Sequence, residues 1–322
     1  MNTDKYIVFT KEPKYDQPWG GGNRFLVEFI SHLRSKNIPV AYRKDEATVE
    51  MFEKHLDDTA MFFLLEPTDL YTSDNNNISF DSVFEKIRQR DIKLVQRIGN
   101  VGSHRNINFY LAAFETCAKY IDCAIFTSEW ALNQVSAAGI HYKHSIVIRN
   151  VANKDIWQNK ALNYTDIKKL RCVTHHWSDN MLKGFDIYKQ LDKLNFINFT
   201  YIGRKPDDCL FKNYIEPQTQ KTLPALLSNN HVYISASIGE AGPWHIVEAL
   251  MCGLPVLYHK NGGACAEYVG SCGEGYSSFS ELVSLLCDMN WYSAAKKAVD
   301  ARAIPPSDLM VKKYFQAIET IK

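Results

Sequence analysis

Short apolar runs alternate with longer amphipathic stretches along most of the chain, and this alternation restricts the fold more than any other feature of the sequence. KYIVFT at 5–10, KLVQRI at 93–98 and VYISAS at 232–237 have the length and composition of buried strands. Between such runs, apolar residues recur at helical spacing, as in RFLVEFISHL at 24–33. Strands separated by helices form parallel sheets that are covered on both faces. The sequence therefore predicts an α/β protein.

A polar stretch, ANKDIWQNKALNYTD, separates two such series, and a chain of 322 residues has room for two domains. We predict two Rossmann-like domains, at 1–155 and 156–304, and a C-terminal helix within 305–322 that crosses back to the first domain. Facing domains of this kind bind ligands in the cleft between them, at the carboxyl ends of their strands. The ligand site is expected there.

Composition excludes several classes of function. The net charge of +1 gives no overall field that would attract nucleic acid, so no nucleic-acid partner is expected. No apolar run approaches the roughly 18 residues that span a bilayer, and we expect a cytoplasmic protein that could still make peripheral membrane contact. The eight cysteines form no Cys-x-x-Cys pair and are interpreted as buried free thiols without chemistry.

Two glycine-containing turns place backbone N–H groups where an anion could bind. In PWGGGNRF, Gly21 and Gly22 stand before an amphipathic stretch and Arg24 adds a positive charge; a simple strand-to-helix turn is the alternative interpretation. In HHWSDNMLKGFDIY, Lys183 and Gly184 open the next predicted helix. A cation and free N–H groups at a helix start suit a diphosphate.

Arg204 and Lys205 follow the predicted strand FTYIG in the same half of the chain as Lys183. Arg204 could be an ordinary solvated surface charge. Arg204 and Lys183 together, however, predict a site in which two cations bind the phosphates. His175 and His176 could suggest a metal, yet adjacent residues of a strand point to opposite faces. We therefore predict no metal site.

Glu240 and Glu248 lie either side of a Gly-Pro-Trp step in GEAGPWHIVEAL. They are eight positions apart, just over two helical turns, so both can lie near one face of a helix. Carboxylates accept hydrogen bonds from the vicinal diols of a ribose or a hexose. The residues at the helix start complete a predicted site for a nucleotide sugar: Ala241, Gly242, Pro243 and Trp244. The alternative is that both glutamates are ordinary helix residues, with Glu248 solvated on the helix flank.

The stretch 239–270 resembles the Glu-x7-Glu motif of retaining GT-B glycosyltransferases, and of glycosyltransferase family 4 in particular. GGGNRFLVEFISHL, YIDCAIFTSEW and HSIVIRNVANKDIW resemble that family's N-terminal glycine loop and the segments that end its first domain. The resemblance implies the GT-B fold, and transfer of a sugar from a nucleotide-diphosphate sugar with retention of configuration. It implies no metal or other cofactor; a UDP- or GDP-sugar serves as co-substrate.

The resemblance also implies roles for individual residues. Lys183 and Arg204 would neutralise the leaving diphosphate, Glu240 would face the donor sugar, and Glu248 would bind the ribose. His104, in QRIGNVGSHRN, corresponds weakly to a histidine of the family's N-terminal domain. That domain would bind a carbohydrate or glycoconjugate acceptor, with the loop around Trp19 as a stacking surface.

The sequence departs from the family pattern in one place that matters for the chemistry. The family has Gly-Arg shortly before the Lys-Gly pair, whereas THHWSDNMLKG contains no arginine, so that His176 or Ser178 takes that place and Arg204 would compensate. Other functions on the same architecture stay open: a nucleotide-sugar epimerase, a phosphorylase, for which the chain is short, and a non-catalytic, lectin-like sugar-nucleotide-binding subunit.

Overall fold

The computed structural model describes residues 6–9, 12–15, 18, 20–42, 59–64, 80–158, 169–303, 305 and 308–321. Two compact units are present. The first takes Met1–Tyr15, Gly22–Arg149 and Met310–Lys322; the second takes Asp16–Gly21 and Asn150–Leu309. Each unit is built around one parallel sheet. The predicted α/β class is confirmed.

The first unit contains a sheet with the strand order β2-β1-β3-β4-β5-β6, in which every pairing is parallel. Its strands are β1 (Tyr6–Phe9), β2 (Val40–Tyr42), β3 (Thr59–Leu64), β4 (Lys93–Ile98), β5 (Cys123–Phe126) and β6 (Ser145–Val147). The helices between them are α1 (Gly21–Ser35), α2 (Phe80–Gln89), α3 (Ile107–Ala118) and α4 (Glu129–Ala137). Ser128 caps α4, because its hydroxyl accepts from the Ala131 N–H at 3.0 Å.

The second unit has the strand order β12-β11-β10-β7-β8-β9, again with parallel pairings. Its strands are β7 (Leu170–His176), β8 (Ile197–Gly203), β9 (Tyr214–Ile215), β10 (Val232–Ser235), β11 (Val256–His259) and β12 (Gly273–Tyr276). The helices are α5 (Phe185–Leu191), α6 (Leu223–Ser228), α7 (Trp244–Met251), α8 (Cys265–Val269), α9 (Phe279–Cys287) and α10 (Asn290–Ala301).

The C-terminal helix, α11 (Leu309–Glu319), packs against the first sheet. The Tyr314 ring lies 5.2 Å from that of Phe25, 5.5 Å from that of Phe29 and 6.0 Å from that of Phe63. Phe25, Phe63 and Tyr314 are fully buried, so this aromatic cluster is the centre of the first unit's core. The guanidinium of buried Arg97 lies 4.3 Å from the Phe25 ring centroid.

No helix within the described residues is long and apolar enough to cross a bilayer. The cysteines of the described residues are free; all are buried, as predicted, except Cys287, which is exposed and for which the prediction of burial is wrong.

Candidate active site

The candidate site lies at the carboxyl edge of the second sheet. β7 ends at His176, β8 at Gly203 and β10 at Ser235. Because these strands are parallel neighbours, the segments that follow them emerge at one edge. Those segments carry the predicted residues Lys183, Arg204 and Glu240.

Lys183 and Glu240 form an ion pair. The Lys183 Nζ lies 2.6 Å from the Glu240 Oε1, and the two side chains are 13% and 11% exposed. The prediction had placed both residues in one site without pairing them. An ammonium group, which can bind phosphate, thus lies beside a carboxylate, which can accept from hydroxyls. This arrangement suits a ligand that carries both phosphate and hydroxyl groups.

A short 3-10 turn, Met181–Lys183, brings Lys183 into place. Gly184 follows it with φ +90, and a Cβ on Gly184 would lie only 2.4 Å from the Ala236 carbonyl oxygen. Any other residue would therefore force the turn away from the strand β10 exit. The Ile238 N–H donates to the Leu182 carbonyl at 2.9 Å and fastens the two segments together.

A glycine turn in NGGACAEYV holds the backbone of Glu240. The Glu240 N–H donates to the Gly262 carbonyl at 3.2 Å, and the Ala264 N–H donates to the Glu240 carbonyl at 2.8 Å. Gly263 has φ +65, and a Cβ there would lie 2.6 Å from the Glu240 carbonyl oxygen. Both glycine turns are thus needed to fix the position of one carboxylate.

Glu248 is enclosed in the interior of the second unit. Its side chain is 2% exposed, and its Oε2 lies 2.7 Å from the Nε2 of His175, whose side chain is 8% exposed. The alternative in which Glu248 is solvated on the helix flank is therefore wrong, because α7 is buried on all sides. His175 is a partner that the sequence patterns did not identify.

His176 and Ser178, the residues at the place of the family's arginine, make contacts within the second unit. The His176 ring is buried, and its Nε2 lies 2.8 Å from the Tyr188 hydroxyl, which also accepts from the Ala236 N–H at 2.9 Å. The Ser178 hydroxyl accepts from the Asn180 N–H at 3.2 Å. Both side chains are thus engaged within the second unit, and a role of either at a diphosphate stays a prediction.

Arg204 is exposed at the end of β8, and its guanidinium lies over an aromatic ring. Its guanidinium carbon is 3.9 Å from the centroid of Trp177, the first residue after β7. Lys205 lies over the neighbouring Tyr214 ring at 5.0 Å. The structure thus supplies a fixed guanidinium in the same part of the second unit as Lys183, and Trp177 is a second residue that the patterns missed.

The predicted helix start is also in place. Gly242 accepts from the Asn150 side-chain amide at 3.2 Å, and the Asn150 N–H donates to the Tyr268 hydroxyl at 2.9 Å. Pro243 caps α7, whose first residue is Trp244. The Asn150 side chain therefore holds the entry segment 241–244 at the same edge as Glu240.

Cys265 lies close to the ion pair, but it is not a candidate nucleophile. Burial, followed by the charge of Glu240, raises the pKa of the Cys265 thiol well above its ordinary value. The thiol therefore keeps its proton at neutral pH, and the acidic and basic groups of the site remain Glu240 and Lys183.

The remaining predicted residues lie elsewhere. Gly21 and Gly22 form the first turn of α1, and a Cβ on Gly21 would collide with the Trp244 indole, whereas one on Gly22 would meet open space. Nothing in the structure requires glycine at position 22. His104 is half-buried in the segment between β4 and α3, at the carboxyl edge of the first sheet. Trp19 lies outside the described residues.

Residues 205–281 match the family model described as glycosyl transferases group 1. No curated protein sequence matches the chain. Solved structures similar over nearly the whole chain include HepE from Anabaena in complex with UDP and glucose, with 14% identity, a TM-score of 0.72 and coverage of 98% of this chain and 99% of that one. Sucrose-phosphate synthase from Thermosynechococcus elongatus is 13% identical, with a TM-score of 0.76 and coverage of 98% of this chain and 99% of that one. A glycosyltransferase from Rickettsia africae is 13% identical, with a TM-score of 0.64 and coverage of 99% of each chain. The chain has the GT-B fold, and its second unit contains a region similar to glycosyl transferases group 1.

Proposed function

We propose that this chain is a glycosyltransferase that moves a hexosyl or pentosyl group from a nucleotide-diphosphate sugar to an acceptor hydroxyl, with retention of anomeric configuration. The observation that carries the proposal is the Lys183–Glu240 pair at the carboxyl edge of the second sheet. Its separation of 2.6 Å brings together a phosphate-binding cation and a hydroxyl-binding carboxylate that lie 57 positions apart in the chain.

The diphosphate is bound by Lys183, by Arg204 and by N–H groups at the start of α7. As the bond between the sugar and the diphosphate breaks, negative charge grows on the leaving oxygen. Fixed cations that are already in place stabilise that charge without reorganising, and such stabilisation usually lowers the barrier of these reactions more than any other effect. Lys183 is suited to this role because its side chain is held by Glu240 and by the tight turn at Gly184.

The two glutamates bind the sugar and the ribose. Glu240 accepts from the hydroxyls of the donor sugar, and its contact with Lys183 is then shared with the ligand. Glu248 accepts from the ribose diol with the oxygen that faces away from His175. Since the Glu248 side chain is 2% exposed, we expect donor binding to be accompanied by a local rearrangement above it.

The acceptor, a carbohydrate or glycoconjugate, is proposed to bind on the first unit, where His104 lies at the carboxyl edge of the sheet. The donor is proposed to be a UDP- or GDP-sugar; HepE, of similar fold, has been solved with UDP and glucose. No metal is needed in this mechanism, because Lys183 and Arg204 supply the positive charge. Within the described residues, no group of three or more His, Cys, Asp or Glu side chains could hold a metal ion.

Calorimetric titration of UDP and GDP tests the proposal. Lys183→Ala should weaken the binding of the nucleotide diphosphate by about ten- to a hundredfold, because a charged hydrogen bond contributes on the order of 1.5–3 kcal/mol. Lys189→Ala is the matched control: it removes the same charge from α5, where Lys189 pairs with Asp186 at 3.3 Å. Equal weakening by the two variants would contradict the assignment of Lys183.

A separate assay distinguishes transfer from the alternative reactions. Glu240→Gln keeps an oxygen that can accept from Lys183, and it should lower the rate of sugar transfer by a larger factor than it changes the affinity for UDP or GDP. Interconversion of the donor sugar in the absence of any acceptor would instead identify an epimerase.

A further inference from the structure

Trp177 connects to the proposed function through Arg204. The side chain of Trp177 is half-buried at the exit of β7, and the Arg204 guanidinium lies over its ring at 3.9 Å, whereas Arg204 itself is exposed. An exposed arginine ordinarily samples many rotamers, and holding it in one costs side-chain entropy. A cation stacked on an indole face is restrained to one plane.

The backbone of Arg204 is fixed as well. Its N–H donates to the His176 carbonyl at 3.1 Å, and its carbonyl accepts from the Tyr201 hydroxyl at 2.5 Å. Gly203, paired in register with His176, has φ +124, and a Cβ on it would collide with the His176 carbonyl oxygen. Glycine at 203 therefore lets β7 and β8 end side by side, and this brings Trp177 and Arg204 together.

Gly20 also lies close to the Trp177 indole. Within the second unit, a Cβ on Gly20 would lie 3.1 Å from the Trp177 Cδ1, which is closer than side chains normally pack. The Trp177 ring is thus in contact with Gly20 as well as with Arg204, and it is placed to act as a platform rather than as a mobile side chain.

We propose that Trp177 is a positioning residue that orients Arg204 toward the donor diphosphate, in compensation for the arginine absent from the segment before Lys183. This inference rests on the proposed function. A guanidinium held in one plane can offer two parallel N–H groups to phosphate oxygens, and it loses less conformational freedom on binding than a free one. The ligand it selects is the diphosphate part of the donor and not the nucleoside part.

The test compares UDP with uridine, and GDP with guanosine, by calorimetric titration. Arg204→Ala should weaken the binding of the diphosphates and leave the binding of the nucleosides unchanged. Trp177→Leu should weaken the binding of the diphosphates alone, by about two- to thirtyfold, the range that corresponds to a cation–π contact. Trp177→Phe should restore most of the affinity, because it keeps an aromatic face beneath the guanidinium.

Two further measurements make the test specific. In an Arg204→Ala background, Trp177→Leu should have no additional effect on the affinity for UDP. Trp291→Leu is the matched control for loss of a tryptophan, since the Trp291 indole N–H donates to the Leu285 carbonyl at 2.8 Å in the helical layer of the same unit. It should leave the ratio of UDP to uridine affinity unchanged.

The outcomes separate this inference from the proposed function. If Trp177→Leu weakens the binding of UDP and of uridine equally, Trp177 contacts the nucleoside or supports the fold. The inference is then wrong, while the proposed function stands. If Trp177→Leu further weakens the binding of UDP in the Arg204→Ala background, Trp177 does not act through Arg204 and the inference is wrong. If the parent protein binds neither nucleotide, the proposed function fails and the inference fails with it.

Discussion

Replacing His175 by leucine should strongly destabilise the second unit. The His175 Nε2 and the Glu248 Oε2 are 2.7 Å apart, with side chains only 8% and 2% exposed. Removing one partner of this buried hydrogen bond leaves the other polar group in the interior without that bond, at a cost of about 1–3 kcal/mol. His175→Leu should therefore lower the free energy of unfolding by that amount, a large part of the stability of an ordinary domain.

Urea unfolding, followed by tryptophan fluorescence, measures this change. The double variant His175→Leu/Glu248→Leu should recover much of the loss, because neither polar group of the pair then remains in the interior. Lys260→Met provides a control for an exposed pair: the Lys260 Nζ lies 2.8 Å from the Glu281 Oε1, but the two side chains are 51% and 40% exposed. That variant should change the unfolding free energy very little. Equal losses for the buried and the exposed pair, or no recovery in the double variant, would refute the reasoning.

Other predictions concern pH, thiols and metal ions. Burial lowers the pKa of His231 to about 4, and its Nδ1 accepts from the Arg171 N–H at 2.9 Å. The stability that neutral His231 contributes should therefore be present above its unfolded pKa of about 6.5 and should be lost as the pH falls toward 4. In unfolding curves measured over a series of pH values, His231→Gln should make this loss of stability smaller. Cys287, which is exposed, should react with a thiol reagent faster than buried Cys117, whose pKa burial raises to about 12, and the order of labelling by mass spectrometry checks this. Sugar transfer should survive EDTA; a loss of turnover that manganese restores would contradict the mechanism.

Local patterns predicted most of the fold. The strand and helix alternation predicted two parallel α/β series, and both sheets are present. The outer strands of the second sheet were harder to predict: Tyr214–Ile215 has two residues, and Gly273–Tyr276 reads GEGY, which contains no apolar run. These segments are strands because they pair with a neighbour, and that pairing leaves no periodic signal in the sequence.

The candidate site could be predicted only in part. Glu240, Lys183 and Arg204 stand at element ends that local patterns mark, and the structure places all three at the carboxyl edge of one sheet. The contacts between side chains depend on strand order instead. Trp177 and Arg204 meet because β7 pairs with β8, and His175 meets Glu248 across 73 positions of the chain. No local spacing contains that information.

A thermal-shift screen across UDP-, GDP- and ADP-sugars tests the central claim, which is that the second unit binds a nucleotide-sugar donor through Lys183. A ligand at a hundred times its Kd stabilises the native state by about 2.7 kcal/mol, which raises the Tm of a protein of this size by several degrees. We expect one nucleotide class to produce this shift in the parent protein and in Lys189→Ala, and to produce little or none in Lys183→Ala. Failure of every nucleotide sugar to raise the Tm of the parent, or an equal rise in Lys183→Ala, would contradict the account.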